Sequence, residues 1–109
     1  MGVTKTDLFT EQQNEIAKIA KALAHPARVA IIDYLLKSNA CVNGDLVGEL
    51  GLAQATISQH LKELKNMGII QGTIEGVSVS YCINPIRWAE VKDLFNEFFD
   101  QFKGKVSCC

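Results

Sequence analysis

Apolar residues recur at helical spacing in five places along the chain and alternate with polar residues in one. The most informative stretch is residues 40–70, ACVNGDLVGELGLAQATISQHLKELKNMGII. Asp45 to Leu50 reads as a short helix, with Leu46, Val47 and Leu50 apolar, and Gly51 breaks it. A second helix then runs to about Met67, with Ile57, Leu61 and Leu64 on one face. Gly68 stands where a left-handed C-cap residue is expected. Two helices set at an angle across a tight Gly-containing turn form a helix-turn-helix, whose second helix enters a DNA major groove.

The flanking segments complete this unit. A first helix is expected from about Thr10, a plausible N-cap with Gln13 at the capping-box position. Its stripe is Ile16, Ile19, Ala20 and Leu23, which serves either its own domain or an interface. Ala24-His25-Pro26 interrupts the pattern, with proline in the first turn of the next helix and His25 in a helix-start or packing role. That helix spans roughly Pro26 to Lys37, with Val29, Ile32, Leu35 and Leu36 as its expected core face. Arg28 and Lys37 lie off this face, within reach of DNA phosphates or simply in solvent.

After the helix-turn-helix, Ile70 to Ile74 and Val77 to Ile83 read as a β-hairpin around Glu75-Gly76. In the second strand Val79, Tyr81 and Ile83 alternate with Ser78, Ser80 and Cys82, which places Cys82 on the polar side as an inert thiol. A hairpin in this position is a wing. With no Lys or Arg between Gln71 and Ile83, its contribution to DNA affinity should be weak. Asn84-Pro85 opens the last helix, on which Trp88, Val91, Phe95, Phe98 and Phe102 repeat at three to four residues. Leu94 and Phe99 widen the stripe. The stripe could line a cofactor pocket, but a dimer interface is the more economical account. The interface set is therefore Ile16, Ile19, Leu23, Trp88, Val91, Phe95, Phe98 and Phe102. A two-fold dimer would place two recognition helices in successive major grooves, about 34–36 Å apart.

The fold class expected is mainly α with a small β-hairpin, a dimeric winged helix-turn-helix. A flexible segment at 1–9, a DNA-binding and dimerisation domain at 10–103 and a cysteine-containing tail at 104–109 make up the 109 residues. The recognition helix presents Gln54, Ala55, Thr56, Ser58, Gln59 and Lys62 on or beside its polar face, and His60 at the border of the buried face. Glutamine pairs bidentately with adenine, hydroxyls take base or phosphate, and lysine takes phosphate or guanine. His60 suits packing or a phosphate contact.

Charge and cysteines refine the picture. A net charge of −1 makes any basic patch local and non-specific DNA affinity modest. No apolar run approaches a membrane span and no signal peptide is visible, so a cytoplasmic, membrane-free protein is expected. Cys41, Cys82, Cys108 and Cys109 are then mainly reduced, suited to metal or redox chemistry before structural disulfides. No nucleophile–base pair, phosphate loop or paired carboxylates point to an enzyme. The acidic wing leaves open a protein-interaction module that has lost DNA binding.

Ala22-Leu23-Ala24-His25-Pro26-Ala27-Arg28 resembles the "ALxHPxR" signature of the ArsR/SmtB family of winged-helix repressors. Thr56 to Leu64 resembles that family's recognition helix, and Gly68-Ile69-Ile70 and Tyr81 also sit as in it. The resemblance covers about residues 10–102. It implies a homodimer joined through the first and last helices. It also implies binding to double-stranded operator DNA, with release when a thiophilic metal or metalloid binds or when cysteines are oxidised. Cys41-Val42-Asn43-Gly44-Asp45-Leu46 is similar to the family's "CVCDL" or "CVGDL" metal motif, with one residue more and no second cysteine. Cys41 carries over as a ligand, and Asp45 only weakly. The last helix has no histidine, so the family's His-containing site there is absent. Soft thiolates select soft ions. The adjacent pair Cys108-Cys109 with Cys41 as a third sulfur resembles the arrangement in arsenic-responsive members, which implies that these three hold As(III) or Sb(III) as inducer, with no permanently bound cofactor. Thiol oxidation or persulfide sensing is the alternative.

Overall fold

The computed structural model describes residues 5–38, 41–43, 50–73 and 80–104. A 3-10 turn at Lys5–Leu8 precedes α1 (Glu11–Ala22) and α2 (Pro26–Ser38). Then come β1 (Val42–Asn43), α3 (Gln54–Asn66), β2 (Ile70–Thr73), β3 (Ser80–Ile83) and α4 (Pro85–Asp100). The expected helix over 45–50, apart from helical Leu50, lies outside the described residues, as do the Glu75-Gly76 turn and the tail from 105 onward.

The helix boundaries follow from local chemistry. Thr10 Oγ1 accepts from the Gln13 amide at 3.0 Å, and Gln13 Oε1 accepts from the Thr10 amide at 3.0 Å. This reciprocal pair starts α1, and removing such a cap typically costs about 1 kcal/mol. The His25 carbonyl accepts from the Arg28 and Val29 amides at 2.9 and 3.1 Å and starts α2, with Pro26 in its first turn. At the end of α3, the Ile69 amide donates to the Leu64 carbonyl at 3.1 Å and the Gly68 amide to the Lys65 carbonyl at 2.9 Å. These are the two bonds of a Schellman motif, with Gly68 at a φ of 79°. Asn84 Oδ1 accepts from the Ile86 and Arg87 amides at 3.1 and 3.2 Å and caps α4.

One core holds the centre of the domain. Ile31, Ile32 and Leu35 of α2 meet Ile57, Leu61 and Leu64 of α3, together with Ile69, Ile70 and Tyr81. Each such side chain contributes about 1.5–3 kcal/mol relative to exposure. The α2 face is rotated from the sequence expectation: Ile31 is buried, whereas Val29 and Leu36 are 53% and 44% exposed. In an all-apolar run such as Val29-Ala30-Ile31-Ile32, spacing alone does not choose the face, and packing on α3 does.

The sheet has three antiparallel strands in the order β1-β3-β2, so a short strand from the 41–43 segment extends the hairpin. In β2 and β3, Gly72 stands opposite Tyr81 and Gln71 opposite Cys82. Gly72 has a φ of 121°, and a Cβ there would lie 2.2 Å from the Ser80 carbonyl oxygen. The strands therefore approach so closely that only glycine fits.

α1 packs against α4. The Arg87 guanidinium ties this layer together, pairing with Glu15 of α1, with Glu90 at 3.3 Å and with the Met67 carbonyl at 3.3 Å. Ile19 and Val91 are already buried in the single chain, so those two expected interface residues hold the chain's own helices together. Ile16, Leu23, Trp88 and Phe95 are half-buried, and Ala20 is exposed. Phe98, Phe99 and Phe102 are 47%, 64% and 65% exposed. The aromatic end of α4 is thus left exposed.

Candidate functional site

The outward face of α3 is the first candidate surface. Burial of Ile57, Leu61 and Leu64 fixes the helix rotation, leaving Gln54, Ala55, Thr56, Gln59 and Lys62 exposed and Ser58 half-buried. Gln54 Nε2 donates to Ser58 Oγ at 3.2 Å, and Gln59 Nε2 to Glu63 Oε1 at 3.3 Å. Both are exposed bonds between side chains one turn apart on the same helix. The N-cap residue Ala53 offers no side-chain acceptor, so α3 starts without a side-chain cap from it. Lys37 is held by Asp33 at 2.9 Å and belongs to the solvated surface.

His60 is turned the other way. Its Nδ1 accepts from Arg28 Nε at 2.9 Å, while Arg28 Nη1 donates to the Ala22 carbonyl at 3.1 Å. The His25 ring lies 5.5 Å from that of His60, centroid to centroid. Burial, then the Arg28 charge and the neighbouring His25, push the His60 pKa below the ordinary 6.5. Neutral His60 keeps its proton on Nε2 and joins α3 to the α1–α2 junction. This ties α3 to α2 on the side away from its exposed face.

The second surface is a thiol pair. Cys41 and Cys82 are joined as a disulfide, with Cα atoms 4.3 Å apart. The register explains it: β1 pairs Val42 with Tyr81, so the residue before Val42 falls opposite the residue after Tyr81. Cys82, taken from its strand position as inert, is therefore the partner of Cys41. The expected three-sulfur set of Cys41, Cys108 and Cys109 is not described in full, because Cys108 and Cys109 lie outside the described residues. Among the described residues no three His, Cys, Asp or Glu side chains gather as a metal site. Sequence reasoning could have found Cys82 only by foreseeing β1, and a two-residue strand carries too little pattern for that.

The pair opens on a cavity of about 450 Å³ lined by Leu35, Leu36, Gln71, Ile83, Pro85 and Trp88 as well as the two cysteines. Gln71 Nε2 donates weakly to Cys82 Sγ at 3.8 Å. Trp88 also borders a smaller cavity of about 260 Å³ with Leu23, Val29, Ile32 and Leu36. The thiols thus sit where the segment entering the helix-turn-helix meets the wing, with α2 and α4 as walls.

Residues 25–71 match the model of the bacterial regulatory protein family arsR. The chain is 35% identical over 72 residues to the HTH-type transcriptional regulator CmtR of Mycobacterium tuberculosis, across 66% of this chain and 60% of that protein. It thus spans less than two thirds of that relative's length. It is 33% identical over 87 residues to an uncharacterised HTH-type transcriptional regulator of Methanocaldococcus jannaschii, across 80% of this chain and 98% of that one. Its fold is similar to the crystal structure of the transcriptional repressor BigR from Xylella fastidiosa, with a TM-score of 0.59 and 26% identity. That match covers 94% of this chain and all of the other.

Proposed function

Because the chain belongs to the ArsR family of bacterial helix-turn-helix regulatory proteins, we propose that it is a thiol-responsive repressor that binds operator DNA as a homodimer. The observation that carries this reading is the Cys41–Cys82 pair, which joins the entry of the helix-turn-helix to the wing strand. A ligand or bond formed there acts on the elements that position α3. The α3 face supplies the DNA contacts: Gln54, Ala55, Thr56, Ser58, Gln59 and Lys62 at the surface, with the first-turn amides suited to phosphate. His60 supports them through Arg28. The dimer forms through Ile16, Leu23, Trp88 and Phe95 at the edge of the α1–α4 layer and through the exposed Phe98 and Phe102.

The inducer in this reading is As(III) or Sb(III), held by Cys41 with sulfur from Cys108 and Cys109. Its binding lowers operator affinity through a coupling of about 1–3 kcal/mol, and by linkage DNA weakens inducer binding equally. Closure of the Cys41–Cys82 disulfide is a second route to the same effect, favoured by the bond present in the structure.

The test is fluorescence anisotropy of the reduced protein on labelled DNA from upstream of its own gene, titrated first with arsenite and then with a disulfide oxidant. Release near stoichiometric arsenite supports the metalloid reading, and release only on oxidation supports the redox route. Tight binding indifferent to both would overturn thiol control.

A further inference from the structure

We propose that Arg87 is a positioning residue for operator binding: from the first turn of α4 its guanidinium holds the C-terminal end of the recognition helix, and Glu15 of α1 holds the guanidinium. This deepens the reading above by naming what fixes α3 against the α1–α4 layer, and its DNA step rests on that reading. Arg87 Nε donates to the carbonyl of Met67, the C-cap residue of α3, at 3.3 Å. Nη2 pairs with Glu15, 72 positions earlier, and Nη1 with Glu90 at 3.3 Å. One planar fork thus serves acceptors on three helices, which the single ammonium of a lysine does not do in the same geometry.

The placement of Arg87 runs against the local preference of α4. A cation in the first turn meets the positive end of its own helix dipole, and α4 has no acidic residue there to offset it. The side chain instead crosses to the end of α3, where the dipole is negative and the last carbonyls lack intrahelical donors. Its stem lies against Gly68: a Cβ on that glycine would come 3.3 Å from Arg87 Cγ and 3.7 Å from Cδ and Nε. The Asn84 amide donates to the Ile69 carbonyl at 2.9 Å, so backbone and side chain hold the same segment. Arg87 and Glu15 are both half-buried, which spares the pair part of the solvent screening that weakens exposed pairs.

A hold at one end matters along the whole of α3. Over about 20 Å of helix, a tilt of about 5° moves the Gln54 end by about 2 Å, enough to break a base contact. Removing the Glu15 charge separates positioning from simple electrostatics. Less negative charge on the protein favours DNA binding, whereas a loosened Arg87 disfavours it, so the two accounts predict opposite signs.

The experiment uses full-length protein with its cysteines kept reduced, and compares wild type, Glu15→Gln, Arg87→Gln and the double variant. Fluorescence anisotropy measures affinity for labelled DNA from upstream of its own gene and for an unrelated duplex of the same length. Stoichiometric titration corrects each value for the active fraction, which removes losses due to misfolding alone. Glu15→Gln is expected to weaken operator binding about fivefold, and Arg87→Gln at least as much. The double variant should bind no more weakly than Arg87→Gln alone. In Glu15→Gln, affinity for the unrelated duplex and the salt dependence should stay as in wild type. Hydrogen–deuterium exchange without DNA follows the amides of residues 64–69, which should exchange faster in both single variants.

Operator affinity unchanged or raised in Glu15→Gln, or losses that add in the double variant, would overturn this role for Arg87 and leave operator binding standing. Unchanged exchange in Glu15→Gln would overturn it whatever the DNA result. Faster exchange in the variants, with neither duplex bound by wild type, would uphold the Arg87 link and overturn the operator-binding reading.

Discussion

Reducing the Cys41–Cys82 bridge should destabilise the fold by a calculable amount. The two residues are 41 apart in sequence, so the bridge closes a loop of that length in the unfolded chain. The chain-entropy relation gives about 4 kcal/mol at 25 °C for such a loop, as an upper figure because unfolded chains retain structure. For a domain of this size that is a melting-temperature shift on the order of 15–30 °C. With a urea m-value of about 2 kcal/mol/M, the midpoint moves by about 2 M. The assay is urea unfolding at one fixed protein concentration, since self-association adds its own stabilisation. Oxidised and reduced protein are compared, each without metalloid. Cys41→Ser should match reduced wild type under both conditions, and the Cys108→Ser, Cys109→Ser double variant should keep the full difference. Coincident unfolding curves for oxidised and reduced wild type would refute the reasoning, because the bridge would then close no loop that folding must otherwise order.

Gly72→Ala should cost about 3 kcal/mol or more, since its Cβ would lie 2.2 Å from the Ser80 carbonyl oxygen and 2.8 Å from Tyr81 Cα. Gly104→Ala, also at positive φ but with nothing within 4 Å, should cost only about 1–2 kcal/mol by the same denaturation measurement. For His60 the folded pKa is depressed below 6.5, so the unfolded chain binds the proton first as pH falls. Stability should therefore fall as pH drops from about 6.5 toward the depressed folded value and level off below it. Melting curves of wild type and His60→Gln across that window check this, and equal pH slopes would count against it. Phe98→Ser with Phe102→Ser should leave the protomer folded, because both side chains are exposed, yet raise the dimer dissociation constant at least about tenfold in sedimentation equilibrium. An unchanged constant would move the interface off this end of α4.

Much of the architecture was legible from spacing and cap chemistry. Thr10 with Gln13, Pro26, Gly68 and Asn84-Pro85 are local signals whose hydrogen bonds close within a few residues. They therefore act the same way whatever the rest of the chain does. The 57, 61, 64 spacing likewise set which side of α3 faces out. Legibility stopped where the pattern was degenerate. The run Val29-Ala30-Ile31-Ile32 is apolar all round, and only contact with α3 decided that Ile31 goes in and Val29 stays out. The terminal aromatic stripe was visible, but not that Ile19 and Val91 are buried by the chain itself while Phe98, Phe99 and Phe102 stay exposed.

The chemistry of the sulfurs divides along the same line. That the chain carries a helix-turn-helix whose second helix keeps a polar face outward is written in residues 22–70, because periodicity and turn residues are local properties of a chain. Which cysteine meets Cys41 is a matter of strand register across 41 residues, and no local preference encodes a long-range pairing of two-residue length. The orientation of His60 toward Arg28, 32 positions away, has the same origin. Tertiary packing alone put a cysteine pair beside a largely apolar cavity and His60 against Arg28 on the inner side of α3, because both depend on how α2, α3 and β3 meet.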